Sequence, residues 1–126
     1  MKIQLDTSGA LNRIRHYGPG RVTVNQTVAE RSIVVLPDRI VDWPPQDFAA
    51  LTAAHFDFLC ALRPEVVLLG TGDRLRFPSA VLTRALAEAA IGLEVMDTGA
   101  ACRTYNVLAG EGRNVAAALL MLSDVG

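Results

Sequence analysis

The chain has 126 residues, 51% hydrophobic and 20% charged, a globular composition that excludes disorder. Twelve basic against thirteen acidic side chains leave a net charge of −1, without the basic excess expected of a nucleic-acid-binding domain. This length argues for one α/β domain over residues 1–126, long enough to build a core without disulfide or metal.

The first third reads as strands. Ile3 and Leu5 alternate with polar neighbours. Tyr17-Gly18-Pro19-Gly20 reads as a turn, and Arg21 to Asn25 alternates with period two. Ser32-Ile33-Val34-Val35-Leu36 is an apolar run, followed by a Pro37-Asp38 turn and a strand-like Arg39 to Trp43. At least one hairpin is expected here, packed beside or over a central sheet.

The remainder alternates helix and strand. Pro44-Pro45 ends the last hairpin strand, and Thr52 is a good N-cap, with Leu51 and Phe56 at staple positions around it. Phe56, Leu59 and Cys60 share a face of this first helix, which Arg63-Pro64 ends. Glu65 to Leu69 is apolar enough for a strand covered on both faces, and Gly70-Thr71-Gly72 breaks it. Pro78-Ser79 opens a second helix with Leu82, Leu86 and Ala89 inward and Arg84 and Glu88 outward, ended by Gly92. Leu93 to Met96 is the next strand. Asp97-Thr98 opens a third helix, with Thr98 as N-cap and Gly110 as the residue just past its end. Val115 to Leu122 fits a helix by its alanines or a central strand by its length, and strand is chosen. Strands followed by αβαβαβ imply a mixed sheet with parallel crossovers.

Two loops then meet at the carboxyl ends of parallel strands, where α/β sheets bind ligands. One holds Gly70, Thr71, Gly72, Asp73 and Arg74; the other holds Met96, Asp97, Thr98 and Gly99. The start of the third helix and the glycine-permitted backbone could present N–H groups to a phosphate or carboxylate. Arg74, Arg76 and Arg103 are placed to supply countercharge. The plainer alternative is that the glycines only permit the turn and the arginines are solvated or pair with Asp73 and Glu111. A dinucleotide fingerprint is rejected, because its third glycine would fall on Leu75 and Glu94 lies inside a strand. A phosphate-binding P-loop is rejected, because no lysine follows Lys2.

Cys60 and Cys102 have no metal-ligand spacing, so no metal and no cofactor are expected, and both read as small buried residues. Cys102 lies near a helix start and could pair with His16 or His55 as a nucleophile, but nothing in the spacing joins them. His55 reads as a boundary residue and His16 as exposed. Arg103 and Asn106 share one face of the third helix, with Glu111 and Arg113 beyond it. They read either as a polar network fixing the turn after that helix and the final strand, or as a recognition surface for a ligand or protein.

Met1 to Asp6 carries no long apolar run, so no signal peptide is expected. The Val115 to Leu122 run is far shorter than the ~20 residues a membrane helix needs. A cytoplasmic chain without membrane insertion is expected, with peripheral association left open.

The run Pro64-Glu65-Val66-Val67-Leu68-Leu69-Gly70-Thr71-Gly72 resembles the central signature of a small, largely uncharacterised α/β family of bacteria and archaea. Met96-Asp97-Thr98, Ala101 through Leu108, and Glu111-Gly112-Arg113 resemble its longer second signature. The family includes a mitochondrial assembly factor for respiratory complex I. The resemblance implies a compact three-layer fold, a mixed central sheet with helices and an added N-terminal β layer, and favours strand for Val115 to Leu122. It brings no catalytic residue. It implies a protein partner and an assembly role, as analogy. The competing expectation is a small-anion or small-molecule binder or enzyme using Gly70, Thr71, Gly72, Arg74, Asp97, Thr98, Arg103 and Asn106.

Overall fold

The computed structural model describes residues 11–123. The Ile3/Leu5 alternation lies outside them. Eight strands and three α-helices follow in the order β1 (Ile14–Gly18), β2 (Arg21–Val24), β3 (Thr27–Ala29), β4 (Ile33–Leu36), β5 (Arg39–Asp42), α1 (Ala53–Ala61), β6 (Val66–Gly70), α2 (Ala80–Glu88), β7 (Gly92–Met96), α3 (Thr98–Gly110) and β8 (Val115–Leu119). The central sheet has the order β5-β4-β8-β6-β7, and β1-β2-β3 form a separate antiparallel sheet. The β6 strand runs parallel to both β8 and β7, whereas β4 is antiparallel to β8 and β5. The sheet is therefore mixed, and the β4-β5 hairpin joins it as its edge rather than lying over it.

Alternation along the buried strands builds two cores. Val66, Leu68, Ala117 and Leu119 face α3 and the three-stranded sheet, meeting Tyr105, Ile14 and Val22. Val67, Leu69, Ala116 and Ala118 face the other way, toward Phe56, Leu59 and Leu86 of α1 and α2. This explains why β6 and β8 are buried at every position: each is covered on both faces. The alanines of β8 keep that strand thin between the two helical layers. Val115 to Leu122 is thus a strand, ending at Leu119.

Local chemistry sets most boundaries as expected. Thr52 is the N-cap of α1, and Leu51 and Phe56 are buried in one core cluster. His55 plays a part that spacing did not suggest, its Nδ1 accepting the Thr52 N–H at 3.0 Å as Glu or Gln does in a capping box. Ser79 caps α2 by accepting the Val81 N–H at 3.2 Å. Arg63 adopts φ 57°, leaving the helix before Pro64.

Several expectations need correction. Tyr17 and Gly18 belong to β1, so the turn is confined to Pro19 and Gly20. Strands β1 and β3 are polar enough to have escaped the apolar pattern. Ala89 is exposed, and Gly92 begins β7 instead of ending α2; Ala90 makes the left-handed turn at φ 59°. Asp97, not Thr98, caps α3, its carboxylate accepting the Ala100 N–H at 2.8 Å. Gly110 is still helical, and the left-handed residue beyond α3 is Gly112, at φ 83°.

Candidate functional site

The two loops do meet at one end of the sheet. Parallel pairing of β6 with β7 brings Gly70 opposite Met96, so Thr71 and Asp97 leave the strands side by side. The Thr71 N–H then donates to the Met96 carbonyl at 2.9 Å, and the Thr98 N–H donates to the Gly72 carbonyl at 3.0 Å. Thr98 is fully buried, and its hydroxyl accepts the Gly72 N–H at 2.8 Å while donating to the Leu120 carbonyl at 2.6 Å. A single side chain thereby ties the ends of β6 and β8 to the start of α3.

These bonds occupy the space between the loops. A Cβ on Gly70 would stand 3.0 Å from both Thr98 Cα and its hydroxyl oxygen, so the absent side chain lets α3 close on β6. The N–H groups of Gly72, Thr98, Ala100 and Ala101 all have partners within the chain. Thr71, Gly72 and Arg74 instead turn toward a neighbouring open cleft, which Asp97 and Thr98 support from behind.

Arg103 and Asn106 lie against β1. Asn106 Oδ1 accepts the Ile14 N–H at 2.9 Å, and its Nδ2 donates to the Ile14 carbonyl at 2.8 Å. The Arg103 guanidinium donates to the Tyr17 hydroxyl and stands 6.0 Å over the Tyr17 ring. Tyr105, buried between them, donates its hydroxyl to the Asn12 carbonyl at 2.9 Å, and burial pushes its pKa up. Arg113 pairs with Glu65 at 3.1 Å. Arg103, Tyr105 and Asn106 thus tie α3 to β1 and to Asn12 just before it, whereas Arg113 ties the turn after α3 to the head of β6.

The thiols and histidines are not brought together. Cys102 is buried in the α3-side core, and burial pushes its pKa up to about 12, against the lowering that a reactive thiolate needs. His55 packs edge-on to Trp43 on the opposite side of the sheet, and His16 is exposed on β1. Among the described residues, no group of three His, Cys, Asp or Glu is placed to hold a metal. No helix among them is long and apolar enough to cross a membrane.

The open cleft has a volume of about 1010 Å³ and lies beyond the carboxyl ends of β6 and β8. Because β4 runs antiparallel to β8, its first residues arrive at this end, and Ser32 stands in the wall. Trp43 and Phe48, from the segment after β5, form the facing wall, and Leu120 and Met121 lie beside them. Thr71 shapes the near rim: its hydroxyl donates to the Arg74 carbonyl at 2.6 Å and accepts the Arg76 N–H at 3.3 Å. Arg76 places its guanidinium 5.4 Å over the Phe48 ring. Ser32, Trp43 and Phe48 were not singled out in the sequence. The signals available were a serine heading an apolar run and the alternation of arginine with apolar residues from Arg74 to Phe77.

Residues 14–120 match the family described as protein of unknown function (DUF498/DUF598), and the chain belongs to that family. A crystal structure of a Bordetella parapertussis protein superposes with a TM-score of 0.83 at 41% identity, covering 89% of this chain and 97% of that one. The bovine NADH dehydrogenase (ubiquinone) 1 alpha subcomplex assembly factor 3 is 38% identical over 88 residues, which are 68% of this chain and 48% of that protein. The chain thus spans about half the length of that relative. The 13 kDa major membrane protein of Francisella tularensis is 26% identical over 108 residues, covering 84% of this chain and 88% of that one.

Proposed function

We propose that this chain is a non-enzymatic protein-interaction factor that assists assembly of a respiratory or other membrane complex from the cytoplasm. The observation that carries the reading is an exposed apolar segment. Leu75, Phe77 and Val81 are 50%, 73% and 64% exposed within seven consecutive residues leading into α2. Single exposed apolar side chains are ordinary, but three on one short segment suit a partner surface. Arg74 and Arg76 alternate with them and face the cleft, leaving Leu75 and Phe77 outside its walls. The names of the bovine and Francisella relatives, an assembly factor and a membrane protein, point the same way. The test is a deletion strain complemented with wild type or Phe77→Ser, scored for assembled NADH dehydrogenase complex on native gels. Loss of assembly in the deletion and in a normally folded Phe77→Ser is expected. Full assembly without the chain, or full rescue by the variant, would end this reading.

A second reading is small-molecule binding at the loop that holds Gly70, Thr71, Gly72 and Arg74, supported from behind by Asp97 and Thr98. The cleft beside that loop favours it, since a concave site with a few polar groups is the usual form of a ligand pocket. Arg103 and Asn106 would contribute only through α3, because their side chains engage β1. Amide shifts near Thr71 on titration with phosphate and nucleotides are the expected signature, and their absence removes it.

A further inference from the structure

We infer that the cleft between the Thr71–Arg76 rim and the Trp43–Phe48 wall binds a small organic anion, a carboxylate or phosphate carried on a flat apolar body. The inference rests on the second reading above and specifies its ligand and residues.

Three observations converge. First, Ser32 is 4% exposed, stands in the cleft wall, and its hydroxyl has no hydrogen-bond partner among the described residues. Buried hydroxyls are rarely left unpaired, so this one is a donor held in reserve for a group that the described residues do not supply. Second, the charges in the walls are unequally engaged. Asp42 pairs with Arg31, Asp47 accepts the Ala50 N–H, and Asp73 accepts the Ser123 N–H. Arg74 and Arg76 have no carboxylate partner among the described residues. Asp47 and Asp73 keep their charge, and Glu30 is exposed, so the walls as a whole are not basic; what sets Arg74 and Arg76 apart is that neither guanidinium is paired with any of these carboxylates. Third, Arg76 is oriented before any ligand arrives. Its backbone N–H is fixed by Thr71 and its guanidinium lies over Phe48. A guanidinium fork fits a carboxylate or phosphate edge, and the adjoining half-buried Phe48 offers aromatic surface to the rest of the molecule, with Trp43 buried behind it.

Trp43 is the only tryptophan in the chain and stands in the cleft wall, so its fluorescence is a single-site signal for binding there, with the amide shifts giving the location. The intact protein would be titrated with phenyl phosphate, benzoate, inorganic phosphate and uncharged benzamide, followed by Trp43 emission and backbone amide shifts. Saturable binding of phenyl phosphate or benzoate is expected, tighter than inorganic phosphate, with none for benzamide. Which of the two aromatic anions binds more tightly separates a phosphate from a carboxylate ligand. Arg76→Gln, an exposed change that leaves the core intact, is expected to weaken binding about tenfold or more. Ser32→Ala is expected to weaken it by a smaller factor, and Arg84→Gln, outside the cleft on α2, to leave it unchanged. Failure of every probe overturns the inference, and the reading beneath it falls with it only when nucleotides also leave the Thr71 amide unshifted. Binding that Arg76→Gln leaves untouched, or inorganic phosphate binding as tightly as the aromatic anions, overturns this site while leaving ligand binding elsewhere on the loop standing.

Discussion

The Asn106 carboxamide stands in for a missing strand beside Ile14. It accepts that residue's N–H at 2.9 Å and donates to its carbonyl at 2.8 Å, as the backbone of a neighbouring strand would. The edge of β1 is thereby closed by a helix side chain 92 residues away in sequence. At this position the side chain is engaged with β1, not with the turn after α3 or the final strand.

Asn106→Ala should therefore destabilise the fold by about 1–3 kcal/mol, the range for leaving partly buried backbone groups unpaired. Asn106→Asp should fall between, since a carboxylate still accepts the Ile14 N–H but cannot donate to its carbonyl at neutral pH. Urea unfolding of the three proteins checks the order. Equal midpoints would mean that water replaces the carboxamide without cost.

Thr98→Val tests the other tie. The substitution keeps the shape and removes the hydroxyl that serves the Gly72 N–H and the Leu120 carbonyl. Both groups lie in a buried setting, and at about 1–3 kcal/mol each the loss should be about 2–6 kcal/mol. Hydrogen exchange at Gly72 should accelerate more than at Leu68, deep in β6. Uniform acceleration would show that the hydroxyl stabilises the whole fold without locally fixing the loops.

The parts of this fold that could be read from the chain are those in which burial is continuous. Val66 to Leu69 and Ile33 to Leu36 announce themselves because both faces are covered, so no polar residue interrupts them. β1 and β3 could not be read, since Arg15, His16 and Thr27 face solvent and what holds β1 is Asn106, far along the chain. Asp97 and Thr98 are both good N-caps by type; only the contact with Gly72 and Leu120 decides that Thr98 goes inside and Asp97 caps. The meeting of the two loops followed from parallel pairing. The cleft did not, because Ser32, Trp43, Thr71 and Leu120 come from four separate segments that converge only when β4 is antiparallel to β8.

Two glycines, one packed against the start of α3 and one in its last turn, should respond to alanine in opposite directions. Gly70→Ala places its Cβ against the Thr98 backbone at 3.0 Å, which α3 can relieve only by moving, so a loss of about 1–3 kcal/mol is expected. Gly110 is helical, and a methyl group on its Cα would meet nothing within 4 Å, so Gly110→Ala should gain about 0.5–1 kcal/mol through helix propensity. Thermal melts of the pair give the signs directly. A stabilised Gly70→Ala would contradict the close approach of helix and strand.

Cys102 should be inert in the native protein. It is buried, and its thiol is held near pKa 12, so almost no thiolate forms at neutral pH. Cys60 is half-buried and its thiol is raised too, by burial and then by Asp57, so it should label slowly but first. A thiol-reagent titration should find Cys102 only after denaturation. Rapid native labelling of Cys102 would restore it as a candidate nucleophile.

Glu65 gives the fold an acid-sensitive joint. Its Oε1 accepts the Asn114 N–H at 2.8 Å and its Oε2 accepts from Arg113 at 3.1 Å, which together hold the carboxyl below the usual carboxylate range. The backbone bond is the larger cause and the guanidinium the second. Unfolding removes both, so the unfolded carboxyl titrates at its ordinary value and binds protons that the native one does not. The stabilisation is therefore complete above the ordinary value and disappears as pH falls through the lower native one. Glu65→Gln keeps an acceptor for Asn114 but loses the charge facing Arg113. The variant should melt below wild type at neutral pH, and the gap should close as the buffer is acidified through the carboxylate range. A gap that is constant across that range would mean that the pair at the head of β6 contributes through packing, not charge; a gap that widens would reverse the sign of the linkage.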